Sequence, residues 1–284
     1  MPIEIILITI FAIGLIIAVI NDIKKREVPD WISYSLIFIA ISFKTLQSIV
    51  QSEIKIFIIA VITLIIFTLI GNLLYHFKIW GGGDSKLLIA ISTAFSTYPV
   101  ILLNYFEPKL NIPLPAILLL HILLMGSLYG LIYSTILAIK NKNIFIKELK
   151  KNFNENKQAQ ISILALILII PIILIKDYLI KTALSLIFII SLLPLVLLFV
   201  KSVENISLIK KVKINKITEG DWLAQDVKIK NKILLPKSLI SLTKNHIALL
   251  KKNKIKYVSI KYGIPFVPSI FLATITSLII GNII

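Results

Sequence analysis

The chain has 284 residues, of which 57% are apolar and 16% charged, and its 31 Lys and Arg outnumber 14 Asp and Glu to give a formal charge of +17. Charged residues make up about a quarter of an ordinary soluble domain, so such a fold is excluded. With no cysteine, disulfide frameworks, thiolate metal sites and nucleophilic-cysteine chemistry are excluded as well.

Crossing a hydrocarbon core takes about 20 apolar residues. Runs of that kind at 3–20, 31–50, 54–75, 87–103, 114–139, 161–175, 178–200 and 265–284 predict an all-α polytopic membrane protein with about eight transmembrane helices. The first run has no basic residues ahead of it and no small-residue cleavage pattern behind it, so it reads as a span and not as a secretory signal. Lys44 interrupts the second, near an end from which a lysine can snorkel to the headgroups. Lys24, Lys25 and Arg26 follow the first span, and Lys140, Lys142, Lys147, Lys150, Lys151 and Lys157 follow the fifth, which makes both loops cytoplasmic. With the N-terminus outside, only Lys44, Lys55, Lys109, Lys176 and Lys181 of the basic residues fall on the outer side. The expected location is the plasma membrane.

Residues 201–262 depart from this composition: they are polar and Lys-rich. Val212 and Ile214, the turn-like Thr218-Glu219-Gly220-Asp221, and Tyr257, Val258 and Ile260 read as short strands, while 238–254 carries apolar residues at helical spacing. The expected organisation is a membrane core at 1–200, a small cytosolic α+β domain at 201–262 and a C-terminal transmembrane helix at 263–284.

Four acids lie in the short cytoplasmic turns after spans one and three: Asp22, Glu27, Asp30 and Asp84. Asp22 ends the first span, and Asp84 follows Gly81, Gly82 and Gly83 at the start of the fourth, at the same membrane depth. Glycines permit unusual backbone angles and close approach of a second chain, and the first turn of a helix favours a carboxylate. Two carboxylates that face each other share a proton, so that one takes a proton from water while the other polarises a scissile carbonyl. On charge placement alone, the alternative of two aspartates capping helix ends stands equally.

The residues carry a resemblance. Gly81-Gly82-Gly83-Asp84-Ser85-Lys86-Leu87 resembles the Gly-x-Gly-Asp-x-Lys-Leu motif of the type IV prepilin peptidase family, which includes the archaeal preflagellin peptidases. Asp22-Ile-Lys-Lys-Arg-Glu-Val-Pro29-Asp30 is similar to the family's first motif. The resemblance covers 1–200 as a membrane core. It implies a membrane aspartic endopeptidase with Asp22 and Asp84 as catalytic aspartates, no metal or cofactor, and Gly81, Gly82, Gly83 and Lys86 shaping the site. Its substrates would be pilin-like or archaellin precursors, with a short basic leader on the cytoplasmic side ahead of a hydrophobic helix. Glu27 and Asp30 are candidates to meet that leader. The runs 219–226 and 263–268 resemble a C-terminal region of some archaeal members. The four-cysteine zinc loop of many bacterial members has no counterpart in a chain without cysteine.

Other conspicuous residues read as structural. His76, His121 and His246 form no metal-ligand spacing. Trp31 and Trp80 flank spans and read as aromatic-belt anchors, and Asp177 belongs to an outer turn. Lys86 anchors a lipid phosphate or holds down a carboxylate pKa. The lysines of 201–262 sit beside an anionic leaflet that attracts each by about 1 kcal/mol, so the partner they imply is the bilayer and not nucleic acid. A presenilin-like intramembrane protease, or a carrier binding a proton or cation at the same aspartates, are the competing readings.

Overall fold

The computed structural model of the protein describes residues 2–169, 178–229 and 232–283. Its helices are α1 (Pro2–Lys25), α2 (Asp30–Val50), α3 (Ile54–His76), α4 (Gly82–Ala94), α5 (Leu114–Lys140), α6 (Lys142–Glu155), α7 (Lys157–Ile169), α8 (Tyr178–Val203), α9 (Lys244–Lys252) and α10 (Val267–Ile280). Among the described residues, five stretches are long and apolar enough to cross a membrane: those of α1, α2, α3 and α5, and Ser185–Leu208, which takes in most of α8; α10 is a shorter apolar helix. The protein is therefore a multi-pass membrane protein in which the eight expected crossings are not matched helix for helix. The end of the predicted sixth span, with Lys176 and Asp177, lies outside the described residues.

The innermost helix is α4. Leu87, Leu88, Ala90, Ile91 and Ala94 are fully buried against residues of α1, α2, α5 and α10 such as Phe11, Leu36, Leu118 and Ile270. The long helices instead expose Ile, Leu and Phe on their outer faces, as helices solvated by lipid do. The span expected at 87–103 is corrected: the helix starts earlier, at Gly82, and stops at Ala94. Thirteen residues rise only about 20 Å. Pro99 disfavours a helical Tyr98, and the chain continues through a loop into a 3₁₀ turn at Val100–Asn104.

That loop opens backbone N–H groups at membrane depth, where each needs a partner. Glu4 supplies it. Its carboxylate accepts from the N–H of Val100 (3.2 Å) and of Ile101 (3.0 Å), and from Gln47 Nε2 (3.1 Å). Gln47 Oε1 in turn accepts from Lys44 Nζ (3.4 Å), which also donates to Thr97 Oγ1 at 2.8 Å. Lys44, 3% exposed, therefore does not snorkel; it points into the bundle because Gln47 and Thr97 offer it acceptors there.

Helices α6 and α8 pack beside α5, and α7 packs on α8 and α6, with Asn152 bonded to Ser202 (2.9 Å) and Phe145 edge-on to Phe199. After α8 come β1 (Ile209–Lys213), β2 (Trp222–Leu223), β3 (Val227–Ile229), β4 (Lys232–Leu235) and, following α9, β5 (Tyr257–Lys261). The antiparallel sheet runs β1-β5-β2, while β3 and β4 pair separately. Val258 and Ile260, on one face of β5, are buried with Ile217, Leu223, Leu242 and Leu250 in a second small core. From β5 the chain runs straight into α10, whose far end, at Gly281, lies against Lys109.

Gln47→Leu is expected to leave Glu4 short of a donor and Lys44 short of an acceptor, at about 1–3 kcal/mol for each unsatisfied buried group. Thermal unfolding in detergent should show a clear loss of stability, against none for Leu at the exposed Gln51; equal melting for Gln47→Leu and wild type contradicts the network's role.

Candidate active site

At the opposite end of the bundle, α1 carries Asp22 one turn before its C-terminus. The helix closes through the N–H of Arg26, which reaches Asp22 O at 2.7 Å with Arg26 at φ 58, a left-handed conformation uncommon for a side chain of its size. Asp22 is 5% exposed, and its Oδ2 accepts the backbone N–H of Val267 at 2.8 Å. Tyr129 of α5 is within electrostatic reach of this carboxylate. Tyr129 stacks with Tyr133, whose hydroxyl meets Arg26 Nη2 at 3.5 Å.

Asp84 stands at the third position of α4, before its apolar stretch. Its Oδ2 accepts the N–H of Gly81, the residue ahead of the helix, at 3.3 Å. The residue is half-buried and its carboxyl is crowded by protein atoms. That burial, reinforced by the negative charge of Asp22 and opposed by the Gly81 N–H, pushes the Asp84 carboxyl up to about 7. The two aspartates thus feel each other, as like charges brought to one end of a bundle must.

The glycines make this approach possible, though not through unusual backbone angles: none of Gly81, Gly82 and Gly83 has a positive φ. A Cβ on Gly83 would lie 2.9 Å from Val28 Cβ, so only glycine lets the α1–α2 turn close on the start of α4. At Gly82 a Cβ would meet only Tyr75 at an ordinary 3.6 Å.

Lys86 turns away from the aspartate pair. Its Nζ bonds Asp30 Oδ1 at 2.6 Å and lies 4.8 Å from the Tyr34 ring centroid. Burial works against its charge, yet Asp30 and then Tyr34 outweigh it and hold the ammonium above its ordinary range. Asp30 is thereby neutralised by a partner. Glu27 faces the sheet region, accepting from Thr218 Oγ1 at 3.1 Å. Beside it, burial pushes the Asp221 carboxyl up; the Thr218 N–H opposes that and the charge of Glu27 adds to it.

Trp31 is 64% exposed, as an interfacial residue is, whereas Trp80 is a correction: it is buried, with its ring 5.2 Å from that of Phe266. A belt position read from sequence says nothing of which way the ring turns. His76 stacks on Tyr75, His121 bonds Ser277 at 2.7 Å, and His246 accepts from the Thr243 N–H at the start of α9. Among the described residues no group of three or more His, Asp and Glu is placed to hold a metal ion. Sequence reasoning missed Arg26, Tyr129, Tyr133, Phe266 and Val267 at this end of the bundle. The only signal was the proline-flanked run at 265–268, where a helix start aims free N–H groups backwards.

A polytopic helical protein with two carboxylates enclosed at one end of its bundle is the class this geometry defines. Comparison narrows it: residues 9–135 are similar to the type IV leader peptidase family, whose model they match. It is similar to the preflagellin peptidase of Methanocaldococcus jannaschii, 28% identical over 87 residues that make up 31% of this chain and 37% of that protein. It is also similar to the preflagellin peptidase of Methanococcus maripaludis, 29% identical over 101 residues, 36% of this chain and 44% of that protein. The matches thus span less than half the length of these curated relatives. No solved structure matches.

Gly83→Ala is expected to force Val28 aside, costing about 1–3 kcal/mol as overpacking does, and to loosen the contact between the two aspartate-bearing segments. Gly82→Ala should be tolerated. Melting temperatures of the two variants, side by side, check the distinction; equal melting contradicts it.

Proposed function

We propose that this protein is a membrane aspartic endopeptidase that removes the short basic leader from type IV prepilin-like or archaeal preflagellin precursors. Cutting occurs at the cytoplasmic membrane face, where the basic loops after α1 and α5 lie. The observation that carries the reading is the coupling of Asp22 and Asp84, two residues from separate family-like motifs, at one end of the bundle. The match of residues 9–135 to the type IV leader peptidase family and the similarity to two preflagellin peptidases support it.

In this reading Asp84, whose carboxyl sits near neutrality, holds the proton the pair shares and donates to the scissile carbonyl. Asp22 takes a proton from the attacking water. The gem-diol intermediate collapses as Asp22 passes its proton to the departing amine and Asp84 takes back a proton from a gem-diol hydroxyl while the new carboxyl forms, so the dyad ends as it began. Gly83 keeps the two segments in contact, and Lys86 with Asp30 ties the start of α4 to α2. Glu27, less engaged than Asp30, is the better candidate for meeting basic leader residues. The substrate's hydrophobic helix stays in the bilayer, and the Lys-rich segment at 201–262 lies against the anionic leaflet.

Co-expression with tagged pilin-like and archaellin-like precursors, followed on a gel, tests this. Wild type should shorten at least one precursor by its leader, and Asp22→Ala and Asp84→Ala should not, at equal expression. Cleavage that survives either substitution removes the dyad. A folded wild type that cuts nothing, while driving ion flux in proteoliposomes, replaces the peptidase with a carrier.

A further inference from the structure

We infer that the strap formed by residues 262–267, which joins the sheet to α10 outside the family-matching segment, positions Asp22 for catalysis through the backbone N–H of Val267. The inference rests on the peptidase reading above and adds to it a working part drawn from the C-terminal end of the chain.

A carboxyl group is free to turn about its last torsion, where the rotamer wells are broad. A base that takes a proton from one water must keep one orientation. The 2.8 Å bond from the Val267 N–H to Oδ2 fixes the plane of the Asp22 carboxyl, and the Phe266 backbone N–H also reaches it. Such a donor is useful only if it cannot move, and the strap is held at four points. The Phe266 ring fills a slot so tight that a Cβ on Gly126 would lie 2.5 Å from it, and its other side meets Trp80. Phe266 O accepts from Ser269 Oγ at 2.6 Å, which closes the first turn of α10. Arg26 Nη1 donates to Gly263 O at 3.2 Å, and the guanidinium lies 5.8 Å from the Tyr262 ring centroid. Tyr262 is fixed to the sheet region through its N–H on Leu208 O at 2.9 Å. Val267 itself is fully buried.

Arg26 is thus gripped by the strap four residues after Asp22 on the same helix end, while Asp22 is gripped by the strap's other end. Two bonds from α1 to one short segment make a clamp, not a chance contact. Phe266 is a positioning residue, since it reaches Asp22 only through the backbone it holds. The sheet is coupled to the site because β5 and Val267 are separated by the strap alone.

Replacing the Val267 amide by an ester, with α-hydroxyvaline introduced during cell-free synthesis into nanodiscs, removes the N–H and leaves the side chain in place. Leader removal from a precursor that wild type cleaves should show kcat reduced by about tenfold or more, with KM and melting temperature unchanged. The same ester at Ala273, in the middle of α10, should leave kcat as in wild type. Phe266→Ala should reproduce the kcat loss with KM retained. Wild-type kcat in the Val267 ester overturns the inference, and so does a loss of kcat that comes with an equal loss of melting temperature in both esters. A wild type that cuts no precursor overturns the peptidase reading, and with it this role.

Discussion

A carboxylate enclosed by apolar helices must be given N–H donors, because the desolvation cost is otherwise several kcal/mol. That requirement organises both ends of this bundle. At one end Glu4 takes the N–H groups of Val100 and Ile101 that the early stop of α4 would otherwise orphan. At the other, Asp22 takes the N–H of Val267 and Asp84 takes that of Gly81. In each case the donors are backbone groups freed where a helix begins or a loop crosses the bundle. The short inner helices α4 and α10 are therefore not defects in a set of spans; their ends supply the polar partners that long outer helices cannot.

The two polar ends differ in completeness. Glu4, Gln47, Lys44 and Thr97 form a chain in which donors and acceptors alternate, and such a network rigidifies. At the site end, the like charges of Asp22 and Asp84 are set against each other, and their N–H donors do not remove the conflict, since Asp84 is left near neutrality. Strain of this kind is what a proton-sharing pair needs. Gly83 keeps the pair together by letting Val28 close on α4, and Lys86 stays out of it because Asp30 and Tyr34 hold its ammonium.

Much of this was legible in the chain. The apolar runs gave the long helices because lipid solvation selects them regardless of tertiary detail. The two aspartates stood out because acids are scarce beside such runs. What escaped was whatever depended on a distant partner. Ser96 to Pro99 sits in apolar company, and the local stop signal of Pro99 is masked by the apolar residues that follow it at 100–103. Lys44 reads as a snorkelling residue until Gln47 and Thr97 are found beside it, and Trp80 reads as a belt anchor until Phe266 is found behind it. Val267 left only the prolines around it as a hint of a helix start, because a backbone donor has no side-chain signature. Of the three glycines, only the structure separates Gly83, where contact demands it, from Gly82, where it does not.

The central claim is that Asp22 and Asp84 act as one titrating pair. It is tested most directly by following the Asp84 carboxyl with ¹³C NMR or infrared difference spectroscopy in nanodiscs, in wild type and in Asp22→Asn. Removing the neighbouring negative charge lowers the cost of ionising Asp84. The account predicts a wild-type midpoint of about 7 that falls in Asp22→Asn. Identical midpoints in the two proteins, or an ordinary carboxylate midpoint near about 4 in wild type, would contradict it.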